Sequence, residues 1–310
     1  LTCFLFYSNT GFIVHNKTIK FSLHLMKKIL VVGSYFQDLV FYCEQFPKPG
    51  QTLKGRFTTG MGGKGSNQAI AAQLLSNEVH FITSVGTDQF GAIAEQKYTE
   101  LGMSFFLLNS TQPTGCAGIY VNKDGQNEII ISQGAMDDLT LQQIQDDLNK
   151  QLQHAELIIF QAELKFENLR DIMQYCYEHK QPDAKILFNP APYRPDYQYD
   201  QIMKYVQIFV PNETEYEEVQ KIVDIPESCQ LIVTLGEKGC LLDGQIIGTY
   251  AVDAVDTTGA GDCWIGAFSS QYIMHKPLEH CCKFANKAAS ISVTRFGTAA
   301  SMPTKDEVQI

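Results

Sequence analysis

The sequence predicts a three-layer α/β fold, in which helices cover both faces of a mostly parallel β-sheet. Two observations support this prediction. Short β-branched runs recur along the chain and are apolar throughout, as is typical of strands buried on both faces. These runs are residues 29–32, 79–85, 157–160, 185–188, 208–210 and 231–235. Helical patterns alternate with them, and this alternation is typical of parallel sheets. The helical segments are residues 66–75, 88–101, 166–179 and 213–223.

Two segments interrupt this alternation. Residues 39–59 contain a turn at Pro47, Pro49 and Gly50. Residues 105–132 contain two β-branched runs separated by Asn-Lys-Asp-Gly, which indicates a hairpin. We predict that both segments form a small β-sheet that acts as a lid. Lids of this kind exclude water from reactive phosphates.

The polar residues that follow the predicted strands indicate where a ligand would bind. Gly33-Ser34 follows the first strand, Gln161-Ala162-Glu163 the third and Asn189-Pro190-Ala191 the fourth. Ligands of open α/β sheets bind outside the carboxyl ends of the strands. We therefore predict the functional site at this edge of the sheet.

Composition excludes several classes of protein. The chain has 310 residues and a net charge of −10, without a cluster of Lys or Arg, which argues against a nucleic-acid partner. Its nine cysteines include no C-x-x-C pair, and its seven histidines form no H-E-x-x-H motif. We therefore predict no zinc site, and reduced thiols in a cytoplasmic protein.

The first 25 residues differ from the rest of the chain. The first methionine is Met26, and a predicted strand follows it directly. The preceding stretch has no basic region followed by an A-x-A cleavage site, and its apolar runs are too short to span a membrane. We predict that residues 1–25 are a non-native or disordered extension, that residues 26–310 form a single domain, and that the protein has no membrane partner.

A glycine-rich loop at residues 60–65 contains the pattern G-x-G-x-x-G and opens a helix. Dinucleotide binding is rejected because the loop does not follow the first strand. A Walker A loop is rejected because Gly65 replaces the required Ser or Thr and Thr58 replaces the first glycine. Either the loop is a tight turn, or its glycines allow close backbone approach to a polar ligand. We favour the second interpretation.

A second glycine-rich turn, Gly-Ala-Gly at residues 259–261, is followed by Asp262 and by apolar residues at helical spacing. The free N–H groups and the dipole at the start of a helix form an anion site. Asp262 is then either an ordinary helix cap or a base beside a bound phosphate. Asp88 is interpreted as a helix cap and Trp264 as a core residue.

These motifs together resemble one family. Residues 62–69 (Gly-Gly-Lys-Gly-Ser-Asn-Gln-Ala) and 256–262 (Asp-Thr-Thr-Gly-Ala-Gly-Asp) resemble the two signature motifs of ribokinase-like sugar kinases, the phosphofructokinase-B type family. Residues 212–215 resemble its N-x-x-E motif, and residues 234–239 resemble its nucleotide loop. The motifs occur in order between about Lys28 and Pro303. Within the family, residues 63–69 and 189–192 are most similar to ribokinase.

The resemblance implies roles for the matching residues. Those implied for the sugar are Asp38, Gly62, Gly63, Lys64, Asn67, Glu163 and Asp262. Those implied for ATP are Asn212, Thr234, Leu235, Gly236, Glu237, Lys238, Gly239, Gly261 and Asn286. Glu215 would place Mg²⁺ through water. The residues implied for a monovalent cation, K⁺, are Asp256, Thr258, Ser292, Arg295, Gly297 and Ser301. Asp262 would be the catalytic base, and Gly259, Ala260 and Gly261 would form the anion hole.

The resemblance therefore implies an ATP-dependent kinase with Mg²⁺ and K⁺ as cofactors, and a homodimer formed through the lid. The expected reaction converts D-ribose to D-ribose 5-phosphate. Phosphoryl transfer requires positioning and charge neutralisation, which an anion site and a nearby base supply. Phe36 departs from the pattern, because many bacterial ribokinases have a sugar-binding Asn there. The interval between Glu215 and Thr234 is also short for the family, which predicts a missing helix.

Other readings remain open. Another kinase of the family would act on fructose, deoxyribose, a nucleoside or a sugar phosphate, although only Lys64, Lys54 and Arg56 offer the positive charge that a sugar phosphate needs. A catalytically weak sugar-binding or regulatory protein is an alternative of another class. Glu163 and Asp256 each have a simpler interpretation, as a loop acid and as a turn cap.

Overall fold

A computed structural model describes residues 28–76 and 78–310, together with the backbone of residues 13–14 and 17–18. Apart from these two short pairs, the extension predicted at residues 1–25 lies outside the described residues. The strands are β1 (Ile13–Val14), β2 (Lys17–Thr18), β3 (Ile29–Val32), β4 (Phe36–Tyr42), β5 (Arg56–Gly62), β6 (Val79–Gly86), β7 (Ser104–Ser110), β8 (Cys116–Val121), β9 (Asn127–Ser132), β10 (Leu157–Gln161), β11 (Lys185–Asn189), β12 (Ile208–Phe209), β13 (Gln230–Thr234), β14 (Cys240–Leu242) and β15 (Gln245–Ile247). The helices are α1 (Lys64–Ser76), α2 (Gln89–Glu100), α3 (Leu141–Leu152), α4 (Phe166–His179), α5 (Tyr199–Ile202), α6 (Glu213–Val219), α7 (Ala260–Tyr272) and α8 (Leu278–Ser292).

The main sheet has nine strands in the order β15-β14-β13-β12-β11-β10-β3-β6-β7. The seven strands β13, β12, β11, β10, β3, β6 and β7 pair in parallel, and β14 and β15 form an antiparallel edge. The strand order reverses between β3 and β10, because the chain first extends the sheet on one side of β3 and then on the other. The ends of these two strands therefore border a crevice where a ligand can bind.

Helices cover both faces of this sheet, as predicted. Strand β3 shows the division most simply, because Ile29 and Val31 pack into one core while Leu30 and Val32 pack into the other. The first core contains residues of α1, α2, α7 and α8, and the second contains residues of α3 to α6. Since both faces are buried, the strands read as continuous apolar runs.

The lid is a separate sheet of four strands in the order β5-β4-β8-β9. Strands β8 and β9 form the predicted hairpin. The predicted lid segment 105–132 began too early, because residues 104–110 form β7, which pairs with β6 at the edge of the main sheet. This error has a simple cause: an edge strand and a lid strand have the same local pattern.

Helix α6 ends at Val219 rather than at the predicted 223, and no regular helix follows it before β13 in the described chain. This agrees with the short interval between Glu215 and Thr234. Among the described residues, no helix combines the length and the apolar character needed to cross a bilayer.

Candidate active site

A cavity of about 230 Å³ opens at the carboxyl ends of β11, β12 and β13. The first residues of α1 and α7 form its opposite wall. Residues from five of the sequence motifs line it, namely Lys64, Asn189, Asn212, Glu215, Thr234 and residues 257 and 259–262. The fold therefore brings segments that are far apart in the sequence to one small site, at the predicted edge of the sheet.

The start of α7 offers free backbone donors to this cavity. Gly259 precedes the helix with φ at 75°, a left-handed conformation that favours glycine. The N–H of Ala260 donates to the carbonyl of Thr257 at 3.2 Å. The N–H groups of Gly259 and Gly261 have no acceptor within the described chain. Gly259 and Gly261, rather than Ala260, are thus the backbone donors available to an anion.

Asp262 lies in the first turn of α7 and is 4% exposed. Its Oδ2 accepts a hydrogen bond from Asn67 Nδ2 at 3.0 Å, and its Oδ1 accepts one from Gln68 Nε2 at 3.0 Å. Both donors belong to α1. The carboxylate is therefore held from behind by two amides while it lines the cavity.

The side of the site nearest the lid is formed by residues 62–64 and by Glu163. Oε2 of Glu163 accepts hydrogen bonds from Ser34 Oγ and from the N–H of Lys64, the latter at 2.7 Å. These contacts join the ends of β3 and β10 to the start of α1, at the point where the strand order reverses. Glu163 is thus a buried acid whose Oε2 joins these elements, not a solvated loop acid.

Asp38 reaches the same region from the lid strand β4. A Cβ atom on Gly62 would lie 2.2 Å from Asp38 Oδ1, so only glycine allows the carboxylate to approach this loop. Gly63 follows Gly62 in the loop that leads into α1.

This site contains four buried or half-buried carboxylates and one ammonium group, that of Lys64. Burial, followed by the charges of Glu163 and Asp262, raises the pKa of Asp38 to about 7. Burial also raises the pKa of Glu163 and of Glu215, although Lys64 partly offsets both. Burial disfavours the charged form of Lys64, but Asp262, Glu163 and Glu215 outweigh it and raise the pKa of Lys64. This excess of negative charge favours a cationic ligand or counter-ion.

Of the residues implied for ATP, Asn212, Thr234 and Gly261 line the cavity. Asn212 and Glu215 form a capping box at the start of α6, in which Asn212 Oδ1 accepts from Glu215 N at 2.8 Å and Glu215 Oε2 accepts from Asn212 N at 2.9 Å. Both residues still line the cavity. Residues 234–239 form a compact turn after β13, closed by a hydrogen bond from the N–H of Leu235 to the carbonyl of Gly239 at 2.8 Å.

Asn286 has a different environment from the one expected of a ligand contact. Its Nδ2 donates to the carbonyls of Ile247 and Gly248 at 2.8 and 3.1 Å. Its Oδ1 accepts from Trp264 Nε1 at 2.8 Å. Both amide protons are therefore used within the protein, and Asn286 holds the backbone of residues 247–248.

The segments implied for K⁺ come together at the loop that precedes α7. Asp256 Oδ1 accepts from the N–H of Thr258 at 2.9 Å, and Oδ2 accepts from the N–H of Gly297 at 3.0 Å. The N–H groups of Val255 and Asp256 donate to the carbonyl of Val293. Ser292, Arg295 and Ser301 lie in the segment that carries these partners. Within the described ranges, no group of three or more His, Cys, Asp or Glu residues is arranged to hold a metal ion.

Sequence reasoning did not assign four polar residues of the site: Ser34, Gln68, Gln161 and Asn189. Ser34, Gln161 and Asn189 come at the ends of β3, β10 and β11 or directly after them, and Gln68 lies within a motif that resembles the family signature. Their position at strand ends could have indicated that they belong to the site. Their hydrogen-bond partners could not be predicted, because these depend on the order of the strands in the sheet. The predicted roles of Asp88 and Trp264 fit the structure: Asp88 caps α2, and Trp264 is buried.

Comparison with known proteins decides the family. A model of the pfkB family carbohydrate kinases matches residues 26–305. The chain belongs to this family. Among curated pfkB kinases, it is 34% identical over 296 residues to the ribokinase of Bacillus subtilis, which covers 92% of this chain and 99% of that protein. It is also 34% identical over 300 residues to the deoxyribokinase of Salmonella typhi, covering 90% and 96% of the two chains.

Solved structures of pfkB kinases share the fold. The ribokinase of Giardia lamblia has a TM-score of 0.84 at 34% identity, covering 91% of this chain and 97% of that one. The ribokinase of Arabidopsis thaliana, solved with ribose and ATP, has a TM-score of 0.78 at 26% identity, covering 92% and 98%. The predicted ribokinase-like fold and carbohydrate kinase family are both confirmed.

Proposed function

We propose that this protein transfers the γ-phosphoryl group of ATP to the hydroxymethyl group of D-ribose, forming D-ribose 5-phosphate and ADP. One observation carries the proposal. A buried carboxylate, Asp262, lies in the same helical turn as the free N–H groups of Gly259 and Gly261, and all three residues line one cavity. A base beside an anion site is what transfer of a phosphoryl group to a hydroxyl requires.

The proposed reaction follows from this arrangement. Asp262 takes the proton of the sugar hydroxyl, whose oxygen attacks the γ-phosphorus. The bond between the γ-phosphorus and the β–γ bridging oxygen breaks, and ADP leaves with that electron pair. The N–H groups of Gly259 and Gly261 stabilise the charge on the transferred group, because they have no acceptor within the described chain and their residues line the cavity.

The sugar is proposed to bind between the lid and α1. Asn67 Oδ1 is buried and has no hydrogen-bond partner among the described residues, while its Nδ2 is held by Asp262. A buried carbonyl oxygen without a partner is costly, and a sugar hydroxyl would satisfy it. Asp38 and Glu163 supply further acceptors for vicinal hydroxyls.

We propose that Mg²⁺ enters with ATP, beside Glu215. Oε2 of Glu215 closes the capping box, and the same carboxylate lines the cavity, which fits a contact through water better than direct coordination. Mg²⁺ bound there would neutralise charge on the phosphates of ATP. Asn212 and the turn at residues 234–239 would contact the nucleotide, and Asn286 would act indirectly by holding the loop at residues 247–248.

We also propose that K⁺ binds beside the loop at Asp256 and Thr258. The observation in favour is that this loop is already joined to residues 293 and 297 by hydrogen bonds. Backbone carbonyls from the two segments would complete the site, with Ser292, Arg295 and Ser301 nearby. Bound K⁺ would supply a fixed charge that holds the turn before α7 in one conformation.

A second copy of the chain is the proposed partner of the lid. Val40, Ile119 and Ile129 lie opposite one another in adjacent lid strands, and Asp38 and Ile131 share their face. Ile129 and Ile131 are 51% and 44% exposed. An apolar face that continues from the sugar site is a typical protein interface, and covering it with a second lid would shield the sugar.

We propose the cytoplasm as the location of the enzyme. The eight described cysteines form no disulfide, which suits a reducing compartment.

Deoxyribose is the second candidate substrate. The ring of Phe36 is buried in the apolar core and against Gly115, so it supplies no hydrogen-bonding group at this position. A sugar that lacks one hydroxyl would lose no hydrogen bond at Phe36, whereas ribose would leave a hydroxyl unpaired there. A deoxyribokinase is also among the relatives.

A coupled assay of ADP release tests the proposal on ribose, deoxyribose, fructose, adenosine and pseudouridine. We expect the highest kcat/KM with ribose, and a kcat lower by about 10²–10⁴-fold in Asp262→Asn. A higher kcat/KM with deoxyribose would establish the second candidate. Turnover of none of these compounds would refute the proposed activity.

A further inference from the structure

Three buried amides behind Asp262 have no role in the reaction described above. They are Gln68, Gln161 and Asn189, with exposed fractions of 0%, 0% and 9%. They come from α1, β10 and β11. Together they form a chain of hydrogen bonds that ends on the carboxylate of Asp262.

The direction of this chain is set by a backbone carbonyl. The carbonyl of Val210 only accepts hydrogen bonds, so Asn189 must donate to it through Nδ2, at 2.8 Å. Asn189 Oδ1 then faces Gln68, whose Nε2 donates to it at 3.1 Å. The Oε1 of Gln68 faces the other way and accepts from Gln161 Nε2 at 2.8 Å. Reversing any of these amides would place like groups together.

This direction has a consequence for Asp262. The NH₂ group of Gln68 must face Asn189, to which it donates one proton. Its second proton is then donated to Oδ1 of Asp262. Asn67 supplies the donor for Oδ2. Each carboxylate oxygen is thereby held by one neutral donor, and the plane of the carboxylate is set. Neutral donors do this without adding a positive charge that would bind the carboxylate as an ion pair.

We propose that Gln68 is a positioning residue, which Gln161 and Asn189 orient so that it holds the carboxylate of Asp262 in line with the sugar hydroxyl. The inference rests on the proposed kinase function. Small displacements of a reacting group have large effects on rate, since proximity and orientation supply much of the catalytic effect.

The test uses Gln68→Met, which keeps the length of the side chain and removes both donors. We expect kcat to fall about 10- to 100-fold, while the sugar KM changes little. Gln73→Met is the matched control. Gln73 is buried in the same helix, and its Nε2 donates to the carbonyls of Leu101 and Gly102. None of these three residues lines the cavity. We expect this variant to lose thermal stability but to keep its kcat. Equal kcat values for Gln68→Met and the wild type would overturn the inference.

Two further measurements keep the test decisive. If Gln68→Met does not fold, Gln161→Met removes the hydrogen bond to Gln68, one amide further from Asp262. This variant should lower kcat by a smaller factor. An unchanged kcat would then contradict the proposed role of the hydrogen-bonded amides. Crystal structures of the wild type and Gln68→Met give a result independent of turnover. A rotated carboxylate at Asp262 supports positioning, and an unchanged one refutes it. A wild-type protein without turnover would refute the kinase proposal, while the structures still decide the role of Gln68.

Discussion

Replacing Asp262 by Asn tests the base and its surroundings in one experiment. The new amide has one oxygen and one NH₂ group, whereas Asn67 and Gln68 both offer donors to this position. In the arrangement that the structure shows, the NH₂ group of the new Asn faces the Nδ2 donor of Asn67, and only a reversal of the Asn67 amide would relieve this. A buried polar group that loses its partner costs about 1–3 kcal/mol of folding free energy. Loss of a general base lowers kcat by about 10²–10⁴-fold. We expect both effects, with a much smaller change in sugar affinity.

Three measurements separate these effects. ADP release gives kcat, calorimetric titration gives the Kd for the sugar, and circular dichroism gives Tm. Asp88→Asn is the matched control, since it makes the same chemical change at the cap of α2, where Asn also caps well. It should keep the kcat of the wild type. If Asp262→Asn also keeps that kcat, Asp262 is not the base. If its Tm is unchanged, Asn67 has reversed its amide and presents its otherwise unpartnered Oδ1 to the new NH₂ group.

Three further predictions follow from the site and the lid. The kcat should be higher in K⁺ than in a large inert cation, and Asp256→Ala should remove most of this difference; equal rates in both salts would leave Asp256 only a capping role. Because the pKa of Asp38 is raised to about 7, the carboxylate forms only as pH rises through that value, so the sugar KM should fall with rising pH and Asp38→Asn should flatten the profile. A wild-type KM that does not vary with pH would contradict this. Ile129→Asp should convert a dimer to a monomer in light scattering, whereas Ile93→Asp, at an exposed position of α2, should not; a dimer that persists in Ile129→Asp would exclude this face.

The strands and helices of the main sheet were predictable where burial leaves a periodic or continuous apolar pattern. Helix α4 has its predicted bounds, and β3 and β10 agree within a residue. Helix α3 was not predicted, although Ile144, Leu148 and Leu152 recur every four residues and are buried. The short antiparallel strands β14 and β15 were also missed, because three residues are too few for any periodicity to appear.

The candidate site was predictable at the level of motifs. Glycine-rich turns before helices can be recognised locally, because they require particular backbone conformations and leave N–H groups free. Their hydrogen-bond partners could not be recognised. That Ala260 donates to Thr257, or that Asn286 donates to residues 247–248, depends on loop geometry that no local pattern encodes.

The amino-acid sequence carries the α/β class, the lid hairpin and the chemistry of each motif, since all of these follow from residues close together in the chain. Contacts between residues that are far apart in the sequence could be identified only from the folded structure. Asn67 and Asp262 are 195 positions apart, and they meet because α1 and α7 pack side by side on the same face of the sheet. The same packing aligns the amides of Gln68, Gln161 and Asn189 behind the carboxylate. The physical reason is that strand order and helix packing, rather than local propensity, decide which buried polar groups must satisfy one another.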